Sequence, residues 1–553
     1  MSKAPIQSLT CYLFKEEVTT FENVFRIIDG NSLKDKFNLV PTKESITFEI
    51  EGYIEKDKPN PPSWISKLSP LFDFDDTIKN ISNSFVFFVK VENRILAFTM
   101  GYAHHALNKT KIEYDFGLKV TLNEINYKSI RGVDVRKLSA TSHQKREVST
   151  ADGIMRDFEF DFNEEFLNSL SGKAFDSSFA NNLVGKESLK LSVELKIDQI
   201  FEYSKKLLEA YKKENYKENF AFIDNLKIIK DDTIWSAFKD DVRNSFINND
   251  KSKILFAYPN ITDFDFHNYK ITYMQQNKQY ADINTDILFN FIAEKKIDFA
   301  TIELDKIGII LLNDENKAIN RYDIWDYLSY EFEIDDKKYI YSANQIFEIE
   351  PTYFDSIIKE IDAYESNLID NAINIPSILY WDEVNQKTKK IKEVVENEGD
   401  YNLRFASVNT DKCICLDKKN FRNFPNRKND QVEISDVVTS SREYICVKTY
   451  KSSSSVLSHL FMQGIVSAEL LIECKDYRKK IQNSVKLKFK NFIDINNPQR
   501  NEITFVYAIA MKKDGRLSAN LPFFSKISLR QSIKNLTKMG FNVKLIRIPF
   551  EKK

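Results

Sequence analysis

Glycine, histidine and cysteine are all scarce in this chain of 553 residues, which holds 13, 5 and 5 of them respectively. With so few glycines there is little material for phosphate-cradling loops. Gly172-Lys173 and Gly185-Lys186 lack the rest of a P-loop, and no GxGxxG, GxSxG or HExxH occurs. Those gaps argue against the common nucleotide hydrolases, serine hydrolases and zinc proteases. The cysteines (Cys11, Cys413, Cys415, Cys446 and Cys474) are odd in number and do not form a disulfide framework, so a reducing, cytoplasmic setting is expected. Cys413 and Cys415 have no Cys or His partner at zinc-finger spacing and read as small buried hydrophobes on a strand, with no structural zinc expected. Apolar runs stay short, as in Ile307 to Leu312, well below the roughly 18 to 20 residues of a membrane span. Near the N-terminus Lys15, Glu16 and Glu17 interrupt any signal-like apolar core, so neither export nor membrane insertion is expected.

What is present suits a folded chain, with 42% hydrophobic residues, 13% aromatic residues and a net charge of −1. The length exceeds the roughly 250 to 300 residues at which one core stops growing, which implies several domains. The near-zero charge hides an asymmetry. Residues 401–553 carry 29 Lys+Arg and 13 Asp+Glu, a net of +16, and residues 1–400 carry −17. A basic segment of this kind suits a phosphate backbone, whose condensed counterions it displaces. The rival reading is a basic end that docks on the acidic remainder, on a partner protein or on a second copy of the chain.

Three regions are expected, in a mixed α/β and α+β arrangement. Residues 1–185 alternate strand-like runs (Ser45 to Tyr53, Ser84 to Val91, Arg94 to Tyr102 and Leu118 to Leu122) with turns, an α+β domain. Residues 186–400 read as a mostly helical acidic region, with Ile200, Phe201, Leu207, Leu208 and Tyr211 at helical spacing and a second helix over Tyr353 to Asn371. The polar stretch Asn385 to Asp400 then marks a boundary before the basic domain, 401–553. In the first region His104, His105, Glu113, Asp115, Arg131, Asp134 and Arg136 concentrate, but adjacent histidines on a strand point to opposite faces and cannot jointly hold a metal.

The basic third carries the most legible order. KCICLDKK, QVEISDVV and REYICVKTYK predict three short strands, and SSSVLSHLFMQGIVSAELLIE predicts a helix, with N-caps at Ser453 to Ser455 and an apolar stripe through Val456, Leu457, Leu460, Phe461, Ala468 and Leu471. Strand, acid-bearing strand, lysine-bearing strand and glutamine-bearing helix resemble the core of PD-(D/E)xK nucleases, the RecB-like branch included. The resemblance implies a restriction-endonuclease-like fold that hydrolyses phosphodiesters with Mg²⁺ or Mn²⁺. It assigns Asp436 and Lys448 as one acid and the lysine, Gln463 as the polar group on the helix, and Asp417 or Glu433 as further acids on the metal. Cys446 stands where that pattern has Asp or Glu, two residues before the lysine. Glu443 faces the other side of the strand and cannot replace it, Glu433 and Asp436 are an odd three apart, and Asp417 is the better second acid. Lys448, Lys451, Ser453, His459, Arg478, Lys479 and Lys480 are the candidate nucleic-acid contacts, with DNA favoured over RNA.

A second resemblance spans nearly the whole chain. LAFTMGYAHHAL (Leu96 to Leu107), IEYDFGLKVTLN (Ile112 to Asn123), IRGVD (Ile130 to Asp134), the segment Tyr444 to Leu471 and LPFFSKISL (Leu521 to Leu529) are similar to motifs of a "sporadically distributed" family of bacterial proteins of unassigned function. Its patchy occurrence implies mobile elements or phage defence. The expectation is therefore a defence-associated nucleic-acid-binding protein, either a metal-dependent nuclease or, as Cys446 suggests, a sensor or adaptor that binds without cutting.

Overall fold

A computed structural model describes residues 4–28, 31–55, 84–137, 143–158, 165–251, 253–256, 268–313, 316–342, 344–366, 373–384, 391–417, 420–421, 432–450 and 454–553. The chain is mixed α/β and has several antiparallel sheets. It divides into two compact units, Met1–Arg136 with Gln144–Trp235, and Lys137–His143 with Ser236–Lys553.

The first unit is built on β1 (Ile6–Leu13), β2 (Phe37–Val40), β3 (Ile50–Glu55), β4 (Phe85–Val91), β5 (Arg94–Met100), α1 (Phe116–Glu124), β6 (Ile125–Lys137), β7 (His143–Gly153), β8 (Glu165–Ala174), β9 (Asn182–Gly185), β10 (Leu189–Glu194) and α2 (Ile200–Lys212). The ten strands named form one sheet in the order β2-β3-β4-β5-β1-β10-β9-β8-β6-β7. Period-two alternation divides β1 between two cores: Leu9, Cys11 and Leu13 join one, and Tyr12 joins the other with Phe14. The expected strand at Leu118 to Leu122 is instead part of α1. Eight of its nine residues are buried, so it lacks the polar face that marks an amphipathic helix in sequence. Gly117 permits this burial, because a Cβ there would sit 2.1 Å from the Ser188 carbonyl oxygen.

In the second unit the strands are β11 (Ile254–Phe256), β12 (Asn268–Tyr273), β13 (Gln276–Tyr280), β14 (Ile307–Leu312), β15 (Ala318–Asp323), β16 (Leu328–Ile334), β17 (Lys337–Ser342) and β18 (Gln345–Ile349), followed by α3 (Pro351–Asp362). They pair antiparallel as β13-β12-β14-β15 and β18-β17-β16-β11. The region expected to be mostly helical thus holds two antiparallel sheets beside its helices. Charges between the apolar residues, as in LSYEFEI of β16, suit a half-buried strand as well as a helix, and period two prevails. Within the predicted helix Tyr353 to Asn371, α3 accounts for the part up to Asp362, and residues 367–371 lie outside the described residues.

The C-terminal core comprises β19 (Ile378–Val384), β20 (Ile391–Val395), α4 (Glu398–Val408), β21 (Cys413–Cys415), β22 (Asn420–Phe421), β23 (Val432–Glu433), β24 (Val437–Thr439), β25 (Glu443–Thr449), α5 (Ser454–Glu473), α6 (Lys475–Val485), β26 (Thr504–Ala510), α7 (Phe523–Lys538), β27 (Asn542–Ile548) and β28 (Phe550–Lys552). Five of these strands form a mixed sheet, β21-β24-β25-β26-β27, antiparallel up to β25 and parallel from β25 to β27. All seven residues of β26 are buried, as a parallel strand covered on both faces requires. On one face Tyr401 and Phe405 of α4 pack with Val437, Ile445, Val447 and Val506. On the other the Tyr507 hydroxyl of β26 donates to the Phe461 carbonyl on α5 (3.0 Å) and lies 2.6 Å from the Ser532 hydroxyl on α7.

Of the polar stretch at 385–400, residues 385–390 lie outside the described residues, and residues 391–400 belong to this unit. The strand before it, β19, pairs with β20 and also runs parallel to β28 at the chain end. Basic residues of the last third, moreover, form ion pairs with acids of residues 360–398: Arg404 with Glu396 (2.6 Å), Lys448 with Glu398 (2.8 Å), Arg530 with Glu360 (2.5 Å), Lys552 with Asp382 (2.8 Å), and Lys512 and Arg516 with Glu393 and Asp362.

Candidate functional site

Asp436 lies where the second predicted strand breaks in two. Residues 432–433 pair with β22 and residues 437–439 with β21 and β25, which leaves Asp436 between them. Backbone bonds fix it: its N–H donates to the Ile445 carbonyl (3.0 Å), and its carbonyl accepts from the amides of Leu416 (2.7 Å) and Asp417 (3.1 Å). The side-chain Oδ2 accepts from the Val447 amide at 2.6 Å, and the residue is only 8% exposed. Burial raises its pKa to about 7; the Val447 N–H pulls it down, while the charges of Asp417, Glu433 and Glu398 add to the rise.

Lys448, on β25, is half-buried, and its Nζ donates to Glu398 Oε2 (2.8 Å). The Thr449 amide donates to the other oxygen of the same carboxylate (2.9 Å). Glu398 stands in the first turn of α4, just after the N-cap Asn397, where a carboxylate also complements the helix dipole. On α5, Gln463 Nε2 donates weakly to Glu433 (3.4 Å). Glu398, Asp417, Glu433, Asp436, Lys448 and Gln463 together line one cavity of about 540 Å³, with the exposed His459 also on its wall.

Every residue expected to be catalytic or metal-binding therefore meets at this cavity. The odd spacing of Glu433 and Asp436 does not separate them, because the strand ends between them. Cys446 is 1% exposed, and burial together with Asp436 and Glu433 pushes its thiol pKa up, so it supplies no acid. Glu443 is buried elsewhere, bonded to Thr439 (3.1 Å) and Lys544 (2.8 Å). The sequence reading missed Glu398, whose only signal was an Asn N-cap followed by an acid inside the supposed linker. Among the described residues no three His, Cys, Asp or Glu side chains stand ready as a metal-binding group. The donor set is nevertheless all oxygen, and the buried Asn402 Oδ1 on the cavity wall has no hydrogen-bond partner among the described residues. Hard oxygen donors of this kind fit Mg²⁺ or Mn²⁺.

The expected nucleic-acid contacts scatter. Arg478 is 6% exposed and donates to the carbonyls of Leu471 (2.7 Å), Ile472 (2.9 Å) and Ile495 (2.7 Å), which ties α6 to its surroundings. Lys479 and Lys480 are exposed on α6, Lys479 paired with Asp476 at 3.0 Å. Lys451 and Ser453 lie outside the described residues, as do the side chains of Ser454, Ser455 and Val456.

In the first unit His104 and His105 sit in a 3₁₀ turn (Ala103–Ala106) rather than on a strand, and their ring centres lie 4.1 Å apart. Their neighbours in sequence are spent on separate pairs: Glu113 with Arg94 (2.7 Å), Asp115 with Lys119 (2.8 Å) and Arg131 with Asp152 (2.7 Å).

A family model covers residues 9–549. The chain belongs to the family of unknown function DUF6119. The match takes in both units and the whole cavity, so DUF6119 extends well beyond the C-terminal core. No curated protein and no solved structure matches the chain. Among the described residues no helix of this DUF6119 member is long and apolar enough to cross a membrane.

Proposed function

We propose that this protein is a defence-associated nucleic-acid-binding protein whose C-terminal core is a restriction-endonuclease-like, metal-dependent phosphodiesterase acting on DNA. The observation that carries the reading is the convergence of Asp436, Lys448 and Gln463, from three successive elements, on one cavity ringed by carboxylates. The order supports the comparison with PD-(D/E)xK nucleases: a strand with the acid Asp436 just before it, an antiparallel lysine-bearing strand, a helix, then a strand parallel to the second. To hold the cation, Asp436, Glu433 and Asp417 would have to draw closer together than they stand, with the Asn402 carbonyl oxygen as a further ligand. Bound there, a divalent cation would act as a Lewis acid and lower the pKa of a water molecule.

The protein's own groups have separate tasks. Asp436 is kept from water by its burial and fixed by the Val447 amide, so its position is set before any ligand arrives. Lys448 Nζ holds an ammonium beside the cavity, to orient the attacking water or to steady the charge that develops on the phosphate. Glu398 positions Lys448.

Cys446 also favours a second reading, a sensor or adaptor that binds without cutting. The test incubates wild-type protein and Lys448→Ala with linear, circular and single-stranded DNA and with RNA, in Mg²⁺, Mn²⁺ or EDTA, reading cleavage and gel retardation. Metal-dependent cleavage lost in a folded mutant is expected. Cleavage retained by that mutant would sink the assignment, and retardation without cleavage would establish the sensor reading.

A further inference from the structure

A second cavity, of about 470 Å³, opens elsewhere in the same unit. It lies at the carboxyl ends of parallel strands: Tyr450 follows β25 directly, and Lys513 comes three residues after β26. In open α/β sheets ligands settle at that edge, where crossover helices begin. The crossover here is α7, whose first amides are already taken, since Phe523 and Phe524 donate to the Glu331 carboxylate at 2.7 and 2.8 Å. An anion entering the cavity must therefore be held by side chains.

The lysines are placed for this. Lys526 is 2% exposed, and its Nζ donates to the carbonyls of Leu521 (2.5 Å) and Ala519 (3.3 Å) while lying 4.8 Å from the Phe354 ring centre. Lys338 approaches the same ring (5.2 Å) and pairs with Glu333 at 2.8 Å. Burial lowers the pKa of Lys526 to about 8; Glu331 opposes the shift, and the positive charges of Lys338 and Lys513 add to it. Lys253, Lys338, Lys513 and Lys526 share the wall with two carboxylates, Glu333 on Lys338 and Glu331 on the α7 amides, so the cavity keeps a positive excess that an anion would offset. Aromatic rings complete the wall: Phe332 stacks on Tyr339 (5.2 Å between centres) and Phe354 on Phe523 (6.2 Å). Both the volume and the mixture of rings with a few convergent charges suit a small organic ligand.

We infer that this cavity binds a free nucleotide, with the phosphates on Lys338, Lys513 and Lys526 and the base against the aromatic wall. It is separate from the carboxylate cavity and does not depend on any cleavage activity. The full-length protein, in EDTA and without nucleic acid, is titrated with ATP, with adenosine and with inorganic phosphate by calorimetry, and its melting temperature is followed in parallel. Saturable ATP binding is expected, together with a raised melting temperature and much weaker binding of adenosine and phosphate. The replacements Lys338→Ala and Lys513→Ala, distant from the buried core, should each weaken ATP by about tenfold or more. Lys526→Met should abolish binding, with the two alanine variants as the controls should it unfold. Absence of saturable ATP binding by the folded wild type overturns the proposal. So does phosphate binding as tight as that of ATP, or unchanged ATP affinity in both alanine variants.

Discussion

Asp436 is the residue where stability and the proposed function pull apart. Its folded pKa, raised to about 7, means that the native state keeps a proton through a window in which the unfolded chain has already lost it. Ionisation therefore costs native stability progressively from about pH 4 to pH 7, and the full cost remains above that window. Asp436→Asn keeps an acceptor for the Val447 amide and removes the cost. The variant should match the wild type near pH 4 and exceed it by up to about 4 kcal/mol at pH 8, measured by urea unfolding across that range. A stability gap that does not widen with pH would mean the carboxyl titrates as an ordinary aspartate. Glu398→Gln should cut cleavage at least about tenfold while leaving DNA retardation nearly intact, because it loosens Lys448 and removes no phosphate contact; equal loss of both would assign Glu398 to binding.

Elements explain what the sequence made legible. The strand and helix order of residues 412–473 could be read because polar turns separate its apolar runs. Asp436, Lys448 and Gln463 came with it. Buried and mixed elements were hidden. The helix α1 is buried on nearly all sides with its polar residues scattered around it, and the fully buried TFVYAIA of β26 shows no alternation, so periodicity has nothing to act on there. Glu398 stayed hidden for a different reason: the Lys448–Glu398 pair spans 50 residues, and only the packing of α4 on the sheet brings its two ends together. Packing between elements is tight enough to test. A Cβ on Gly464 of α5 would fall 2.2 Å from the Tyr507 hydroxyl oxygen on β26. Gly464→Ala should therefore destabilise by about 1 to 3 kcal/mol despite the better helix propensity of alanine, read as a lower urea midpoint; a raised midpoint would show that α5 can shift.

Across the whole molecule, the charge asymmetry has two uses. Part of the +16 of residues 401–553 is consumed internally by ion pairs to residues 360–398, and part stays on the surface, on Lys479 and Lys480 among others. Strands β19 and β20 and helix α4, which carries Glu398, belong to the same unit. A fragment of residues 401–553 should accordingly fail to unfold cooperatively, whereas 236–553 should give a single sigmoidal transition by circular dichroism. Cooperative unfolding of the shorter piece would show that those strands and ion pairs are dispensable.

The central claim is that the cavity around Asp436 and Lys448 is where the chemistry happens. Cleavage of linear DNA in Mn²⁺ by wild type and by Asp436→Asn, at a pH where the variant is the more stable of the two, tests it most directly. The account predicts metal-dependent cleavage by the wild type and none by Asp436→Asn, a loss that unfolding cannot explain. Undiminished cleavage by the variant would contradict the account and move the active site away from this cavity.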